Sequence, residues 1–190
     1  DKIITAWNAM LCSALFQAGR AFADKTLPSL GKKTLDFLLE NAWDESKKVL
    51  NRNYQKRKAT TPGFLDDYAF LIKALIDEYQ VSFEILSLQT AKNLLQIVLD
   101  NFSDDSNSMF FYNDARFHEL ISRPAENSDG VIPSSGSVMA ENLWLLGRLF
   151  DENSYTEQAL KMVRNLKSEI FSAPEYQANW ARLLLKVTGA

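Results

Sequence analysis

Three aspartates are the side chains of this sequence best suited to acid–base chemistry. Asp66 and Asp67 are adjacent in the first turn of a predicted helix, and Asp129 lies in a later polar loop. Two carboxyl groups facing one cavity are the minimum for glycoside hydrolysis, one as general acid and one as base or nucleophile. Because adjacent helical side chains point in different directions, we expect at most one of Asp66 and Asp67 to act, with Asp129 as its partner, and we favour Asp67 of the two. The alternative is structural, since acids in a first helical turn stabilise the helix by about 0.3–1 kcal/mol.

The loop that carries Asp129 ends at the start of a helix. Asp129-Gly130 is a turn dipeptide, Pro133 favours an extended residue before it, and Ser134 or Ser135 can cap the helix that follows. Such a helix start offers free amides and a positive dipole end to an oxygen-rich ligand. The alternative is that the serines only cap a core helix.

Several further side chains could bind a sugar. Aromatic rings stack on pyranose faces, and amides, guanidinium groups and hydroxyls bond to sugar oxygens, although aromatic residues at helical spacing are more often part of a core. The predicted substrate-binding residues are Trp7, Asn8, Tyr68, Arg123, Ser134 and Ser135.

The sequence gives little support for chemistry that needs a histidine pair or a metal ion. An epimerase that moves a proton beside a carbonyl commonly uses two histidines, and this sequence has one, His118, which we expect in a solvated loop. Asp66 and Asp67 lack the later acid of a diphosphate-binding motif, and the loop after Asp104 lacks the glycine and glutamate of a calcium loop. We therefore predict no metal site and no cofactor.

Apolar residues recur at helical spacing through most of the chain, which predicts an all-α fold. Helices pair into hairpins over residues 3–42, 64–102 and 136–170, and a further helix starts within 174–187. Long loops with short β segments follow the first two hairpins. The spacing from Trp43 to Phe102 matches that from Asn8 to Asp67, which indicates duplication. We predict a single partial α/α-toroid domain over residues 1–190, with helices one, three and five facing inward.

The composition limits the partners. A net charge of -3 with interspersed charges gives no field that would draw nucleic acid, and no segment has the ~20 apolar residues that cross a bilayer. The single cysteine, Cys12, lies in an apolar helical pattern and suits a reducing compartment, so we expect a cytoplasmic protein.

About three hairpins cannot close a ring of six, and an open arc would expose apolar flanks. We therefore expect these flanks to contact an upstream part of the same longer chain or a second copy. The chain starts directly before a helix, as a fragment would.

Four segments, in order, resemble one known family: DKIITAWN (residues 1–8), GFLDDYAFLI (63–72), RP (123–124) and DGVIPS (129–134). They are similar to motifs of the spermatogenesis-associated protein 20 family, whose members have a thioredoxin-like domain followed by a six-hairpin toroid. The resemblance covers most of the chain and implies a C-terminal part of that toroid. It also implies carbohydrate chemistry, because the toroid is similar to those of N-acylglucosamine 2-epimerases and glycoside hydrolases.

Two functions follow as expectations. The first is a carbohydrate-processing or carbohydrate-binding domain, either glycoside hydrolase-like or sugar epimerase-like. The alternative is a non-catalytic module that binds a peptide or partner domain on its concave helix face.

Overall fold

The computed structural model describes residues 2–117 and 123–189, which divide into two compact units, 1–100 and 101–190. Eight α-helices lie within the described residues, joined by short strands, so the all-α prediction is confirmed. That the whole chain is a single domain stays a prediction.

The first unit is built from two consecutive helical hairpins and the loop between them. The helices are α1 (Thr5–Phe22), α2 (Thr26–Asn41), α3 (Leu65–Ser82) and α4 (Ile85–Phe102), the last of which crosses the boundary between the units. The strands are β1 (Ile3–Ile4), β2 (Trp43–Asp44), β3 (Val49–Leu50), β4 (Asn53–Gln55) and β5 (Lys58–Ala59). β2 pairs with β3, and β1, β4 and β5 form a second antiparallel sheet.

Helix α3 is the centre of this unit because it is buried on nearly every side. A helix of that kind must be covered by its neighbours, and α1 packs along it. The fully buried side chains of the unit include Phe16 from α1, Leu35 and Leu38 from α2, and Tyr68, Leu71 and Leu75 from α3.

The duplication has a period of 60 residues rather than the 59 that the sequence spacing indicated. Helix α3 starts and ends 60 residues after α1, and both helices end at a left-handed residue, Ala23 with φ 54° and Phe83 with φ 60°. The pairs Trp43–Leu50 and Asp44–Val49 recur 60 residues later as Ser103–Phe110 and Asp104–Met109.

The second unit contains one long helical hairpin and three shorter helical segments. Its elements are β6 (Ser103–Asp104), β7 (Met109–Phe110), α5 (Ser135–Leu149), α6 (Asn153–Asn165), α7 (Lys167–Ser172), a 3-10 turn (Pro174–Tyr176) and α8 (Ala178–Thr188). The predicted hairpin over 136–170 is therefore α5 and α6 followed by a break. Of the two candidate caps, Ser134 is the residue whose side chain accepts the Ser137 amide.

Trp180 of α8 binds the backbone of the loop before α5. Its fully buried ring donates from Nε1 to the carbonyl of Asn127 at 2.8 Å. The same loop approaches the first turn of α5, where Gly136 donates to the Glu126 carbonyl at 3.0 Å. A side chain at residue 136 would block this approach, because a Cβ there would lie 2.8 Å from the Glu126 carbonyl oxygen.

None of the helices in residues 2–117 and 123–189 combines the length and apolarity that a bilayer-spanning helix needs.

The packing at Gly136 gives a first prediction. Gly136→Ala should lower the free energy of unfolding by about 1–3 kcal/mol, because the added methyl overpacks the loop against α5. The measurement is urea denaturation of the chain. Gly130→Ala is the matched control, since a Cβ at residue 130 meets nothing within 4 Å. Equal stability of the two variants would contradict the proposed close packing.

Candidate functional site

Asp67 joins the starts of two helices. Its carboxylate is fully buried; Oδ1 accepts from the Ala6 amide at 3.1 Å, and Oδ2 accepts from the Phe64 amide at 3.0 Å. Ala6 lies in the first turn of α1, and Phe64 is the residue that precedes α3. The residue before α1, Ile4, has no side-chain acceptor, so Asp67 supplies to α1 the cap that α1 lacks.

Arg52 holds Asp66 and Asp67 together. Its Nη1 donates to Asp66 Oδ1 at 3.0 Å, to Asp66 Oδ2 at 3.2 Å and to Asp67 Oδ2 at 3.1 Å. Although adjacent helical side chains point in different directions, one guanidinium bonds both carboxylates; that at most one of them acts stays a prediction. The shared contact reflects their position in the first turn, where Asp66 Oδ1 folds back to accept the Asp67 amide at 3.0 Å.

Arg52 is itself positioned by the backbone and by an aromatic ring. Its amide donates to the Thr61 carbonyl at 2.7 Å, and its carbonyl accepts from Thr5 at 2.9 Å. The guanidinium lies 4.9 Å from the centre of the Phe64 ring. Sequence reasoning did not connect Arg52 with the two acids, because they are 14 and 15 residues away at no regular period. We define Arg52, Asp66 and Asp67 as the Asp66–Asp67 cluster.

The surroundings of Asp67 favour its protonated form. Burial and the neighbouring Asp66 carboxylate raise the pKa of Asp67 to about 7, although Arg52 and the amides of Phe64 and Ala6 pull that pKa down. Such a carboxyl group can hold a proton near neutral pH, which a general acid requires. Asp66 differs from Asp67 in access, since 11% of its side chain is exposed and none of the Asp67 side chain is.

Asp129 plays the corresponding part in the second unit. Its Oδ1 accepts from the Ser134 amide at 2.9 Å and from Ser137 Oγ at 3.1 Å, and its Oδ2 accepts from the Asn179 amide at 2.8 Å. Ser134 caps α5, and Asn179 is in the first turn of α8. Each unit thus contains a buried aspartate that bonds free amides at two helix starts. Whether Asp129 is the partner acid of Asp66 or Asp67 stays a prediction.

The predicted sugar-binding residues of the first unit differ in access. Trp7 is 66% exposed on α1 and is open to a ligand. Asn8 is half-buried, and its Nδ2 donates to the Ile4 carbonyl at 2.8 Å. Tyr68 is fully buried, with its hydroxyl accepting from the Leu50 amide at 2.9 Å, so its contacts are those of a core residue.

The predicted binding residues of the second unit hold the loop before α5. Arg123 donates to the carbonyls of Asn101 and Asn113, and its guanidinium lies 4.3 Å from the centre of the Phe111 ring. Ser134 is the helix cap, and Ser135 is fully buried with an Oγ that has no hydrogen-bond partner. His118 lies outside the described residues.

The part of the chain that the structure describes contains no candidate metal site and no reactive thiol. No group of three or more histidine, cysteine, aspartate or glutamate side chains is placed there to hold a metal ion. Cys12 is buried, and burial raises the pKa of its thiol to about 12, which keeps the sulfur protonated.

Solved structures with this fold are α/α-toroid proteins of the six-hairpin glycosidase kind. The chain aligns with a family 76 α-mannanase of Bacteroides thetaiotaomicron at a TM-score of 0.74 and 12% identity, over 88% of this chain and 45% of that one. It also aligns with cellobiose 2-epimerase of Bacillus thermoamylovorans at 0.68 and 11%, over 88% and 45%. A third match, at 0.70 and 13% over 86% and 47%, is an inactive variant of a Salegentibacter α-1,6-mannanase, altered at two consecutive aspartates, in complex with α-1,6-mannotetrose.

Sequence comparison narrows the resemblance from a shared fold to one named protein. The chain is 27% identical to spermatogenesis-associated protein 20 of Rattus norvegicus over 183 residues, which are 92% of the chain and 23% of that protein. It is 30% identical to the Mus musculus protein over 152 residues, 75% of the chain and 19% of the relative. No family model matches the chain. The chain thus resembles spermatogenesis-associated protein 20, as its motifs predicted, and spans about a quarter or less of the length of these relatives.

The pKa of Asp67 gives the second prediction. In an unfolded chain an aspartate has a pKa of about 3.9, so the folded chain binds this proton more tightly than the unfolded chain does. The stability that Asp67 contributes through this proton is fully present below about pH 4 and is lost as the pH rises through about 7. The wild type minus Asp67→Asn difference in unfolding free energy should therefore decrease as the pH rises from about 4 to about 7.

The measurement is urea denaturation of both proteins at several pH values. Asp105→Asn, at an exposed aspartate, is the control and should leave the wild-type profile unchanged. A wild-type minus Asp67→Asn difference that rises with pH, or stays constant, would contradict the raised pKa.

Proposed function

We propose that this chain is the part of a carbohydrate-processing toroid that carries a pair of adjacent acids, Asp66 and Asp67. The observation that supports this is the Asp66–Asp67 cluster, in which two carboxyl groups share one guanidinium at the start of the buried helix α3. Clusters of this kind, with one raised pKa, are typical of functional sites. The cytoplasmic location expected from the composition remains part of the proposal.

The structural neighbours support the same class of substrate. They include a mannanase, a cellobiose epimerase and a D-mannose isomerase, all enzymes that act on sugars. In the Salegentibacter mannanase the inactivating changes fall on two consecutive aspartates, and this chain also has two consecutive aspartates. A shared fold does not establish which reaction is catalysed, so hydrolysis and epimerisation are both kept as proposals.

Within the cluster, we assign the contact with substrate to Asp66 rather than to Asp67, the acid favoured from the sequence. Its side chain has the exposed edge, while Asp67 is covered and bonded to the starts of α1 and α3. Arg52 orients both carboxyl groups through hydrogen bonds, and its charge lowers the pKa of Asp67. Trp7, exposed near the start of α1, is the proposed stacking platform for a pyranose ring, and Asp129 remains the proposed second acid.

An exposed apolar face on α1 favours the alternative function. Trp7, Leu11 and Phe22 are 66%, 50% and 79% exposed, and their spacing places them on one side of the helix. Apolar side chains aligned in this way suit a protein partner, either an upstream part of the same longer protein or a second copy. In this reading the cluster only caps helices.

The carbohydrate proposal is tested by thermal and urea unfolding with D-mannose, cellobiose and α-1,6-mannotriose. A sugar that binds only the folded chain should add ~2.7 kcal/mol when present at ~100 times its dissociation constant. Asp66→Asn should reduce this gain, because the amide is uncharged and replaces one carboxylate acceptor with an N–H donor. Asp129→Asn tests the second acid in the same way, and Asp105→Asn is the control. If no sugar raises the stability, or Asp66→Asn leaves the gain intact, the proposed site is wrong.

The alternative function predicts that α1 mediates association. Leu11→Glu should weaken self-association by about tenfold or more, because a charge would be buried at the contact. It should weaken by a similar factor the binding of a separately produced segment that corresponds to the part of the longer relatives before the aligned region. Sedimentation velocity measures both. Lys33→Glu, at an exposed site on α2, is the control and should leave association unchanged. A monomer that binds no upstream segment would rule out this face as an interface.

A further inference from the structure

A groove of about 540 Å³ lies in the first unit between the β2–β3 hairpin and helix α4. Its hairpin wall is formed by Trp43, Glu45 and Lys48, its floor by Leu71 and Leu94, and its rim on α4 by Asn93. We define this as the Trp43 groove. It shares no lining residue with the Asp66–Asp67 cluster.

The duplication builds the same groove a second time. In the second unit a cavity of about 340 Å³ lies between the β6–β7 hairpin and helix α6. The positions 60 residues after Trp43, Glu45 and Lys48 line it, and they are Ser103, Asp105 and Ser108. The groove is therefore a product of the repeated fold, and the two copies differ in chemistry.

The two hairpins share their register and turn but differ at residue 43 and its equivalent, residue 103. Trp43 pairs with Leu50 in the same register in which Ser103 pairs with Phe110. The turns that follow are also alike, since Asp44 accepts from Ser46 Oγ at 2.7 Å and Asp104 accepts from Ser106 Oγ at 2.6 Å. The second hairpin keeps this register with a serine opposite Phe110, where the first has Trp43 opposite Leu50. The indole ring in the groove wall is therefore a feature of the first hairpin that the second lacks.

Hydrogen bonds hold the ring and a charged pair at one wall of the groove. Trp43 Nε1 donates to Glu45 Oε2 at 2.6 Å, and Lys48 donates to Glu45 Oε1. The groove therefore combines an oriented indole ring, an ion pair and an amide rim at Asn93 over an apolar floor. A pyranose has matching chemistry, with apolar C–H faces and a ring of hydroxyls that donate and accept hydrogen bonds.

We propose that the Trp43 groove binds a saccharide, with one pyranose unit on the indole of Trp43 and its hydroxyls bonded to Asn93 and to the Glu45–Lys48 pair. The volume of 540 Å³ is within the range of small-molecule sites. This site binds without catalysis, and it stands whether or not the Asp66–Asp67 cluster acts on sugars.

The test is a titration of the ¹⁵N-labelled chain with cellobiose and with α-1,6-mannotriose, followed through the tryptophan indole N–H signals. The signal missing from Trp43→Ser assigns Trp43, and that variant copies the residue of the second groove. We expect one of the two sugars to shift the Trp43 signal and to leave the signal of the buried Trp180 in place. Trp43→Ser should bind that sugar about tenfold or more weakly, as loss of an aromatic stacking partner predicts.

Three further variants make the result decisive. Asn93→Ala, on the exposed rim, should weaken binding while leaving the fold intact, which covers the case in which Trp43→Ser does not fold. Ser103→Ala in the second groove should leave the affinity unchanged, as should Lys33→Glu at the exposed site on α2. The proposal is overturned if neither sugar shifts the Trp43 signal, if Asn93→Ala binds as tightly as the wild type, or if Ser103→Ala abolishes the shift.

Discussion

The free amides at the starts of its helices are the constraint on which this structure depends. The first N–H groups of a helix have no partner within the helix, and burying them unpaired is costly. The chain meets this demand with aspartates from outside the helix concerned. Asp67 bonds the Ala6 amide of α1, and Asp129 bonds the Asn179 amide of α8. These carboxylates therefore hold the helix starts in place, and they also fix the positions of the residues next to them in the chain.

The same constraint explains why the candidate site contains Arg52. Two buried carboxylates at adjacent positions repel each other, and the guanidinium offsets that repulsion. Arg52 can do so because the strand segments around it are tied to both hairpins, through Thr5 at the start of α1 and Thr61 before α3. The long loop between the hairpins is thus the part of the first unit that positions its charged cluster.

The sequence predicted the helices well because their apolar residues recur at the helical period, and α3 is identified even though it is buried on nearly all sides. It also predicted the position of Asp67 in a first turn and a helix cap at Ser134 or Ser135, which are local signals. It failed on Arg52, whose partners are distant in sequence. Tyr68 was predicted as a sugar-binding residue because its type suits that role, but only its packing shows that its hydroxyl bonds the Leu50 amide.

Capping and catalysis compete for the same oxygen lone pairs. A carboxylate has about four acceptor positions. Asp67 uses three of them on the amides of Ala6 and Phe64 and on Arg52, and it has no exposed surface. Asp66 also accepts three bonds, two from Arg52 and one from the Asp67 amide, but 11% of its side chain is exposed. The two acids therefore differ in access: Asp67 is covered and bonds two helix starts, and under the proposed function the exposed edge of Asp66 meets the ligand.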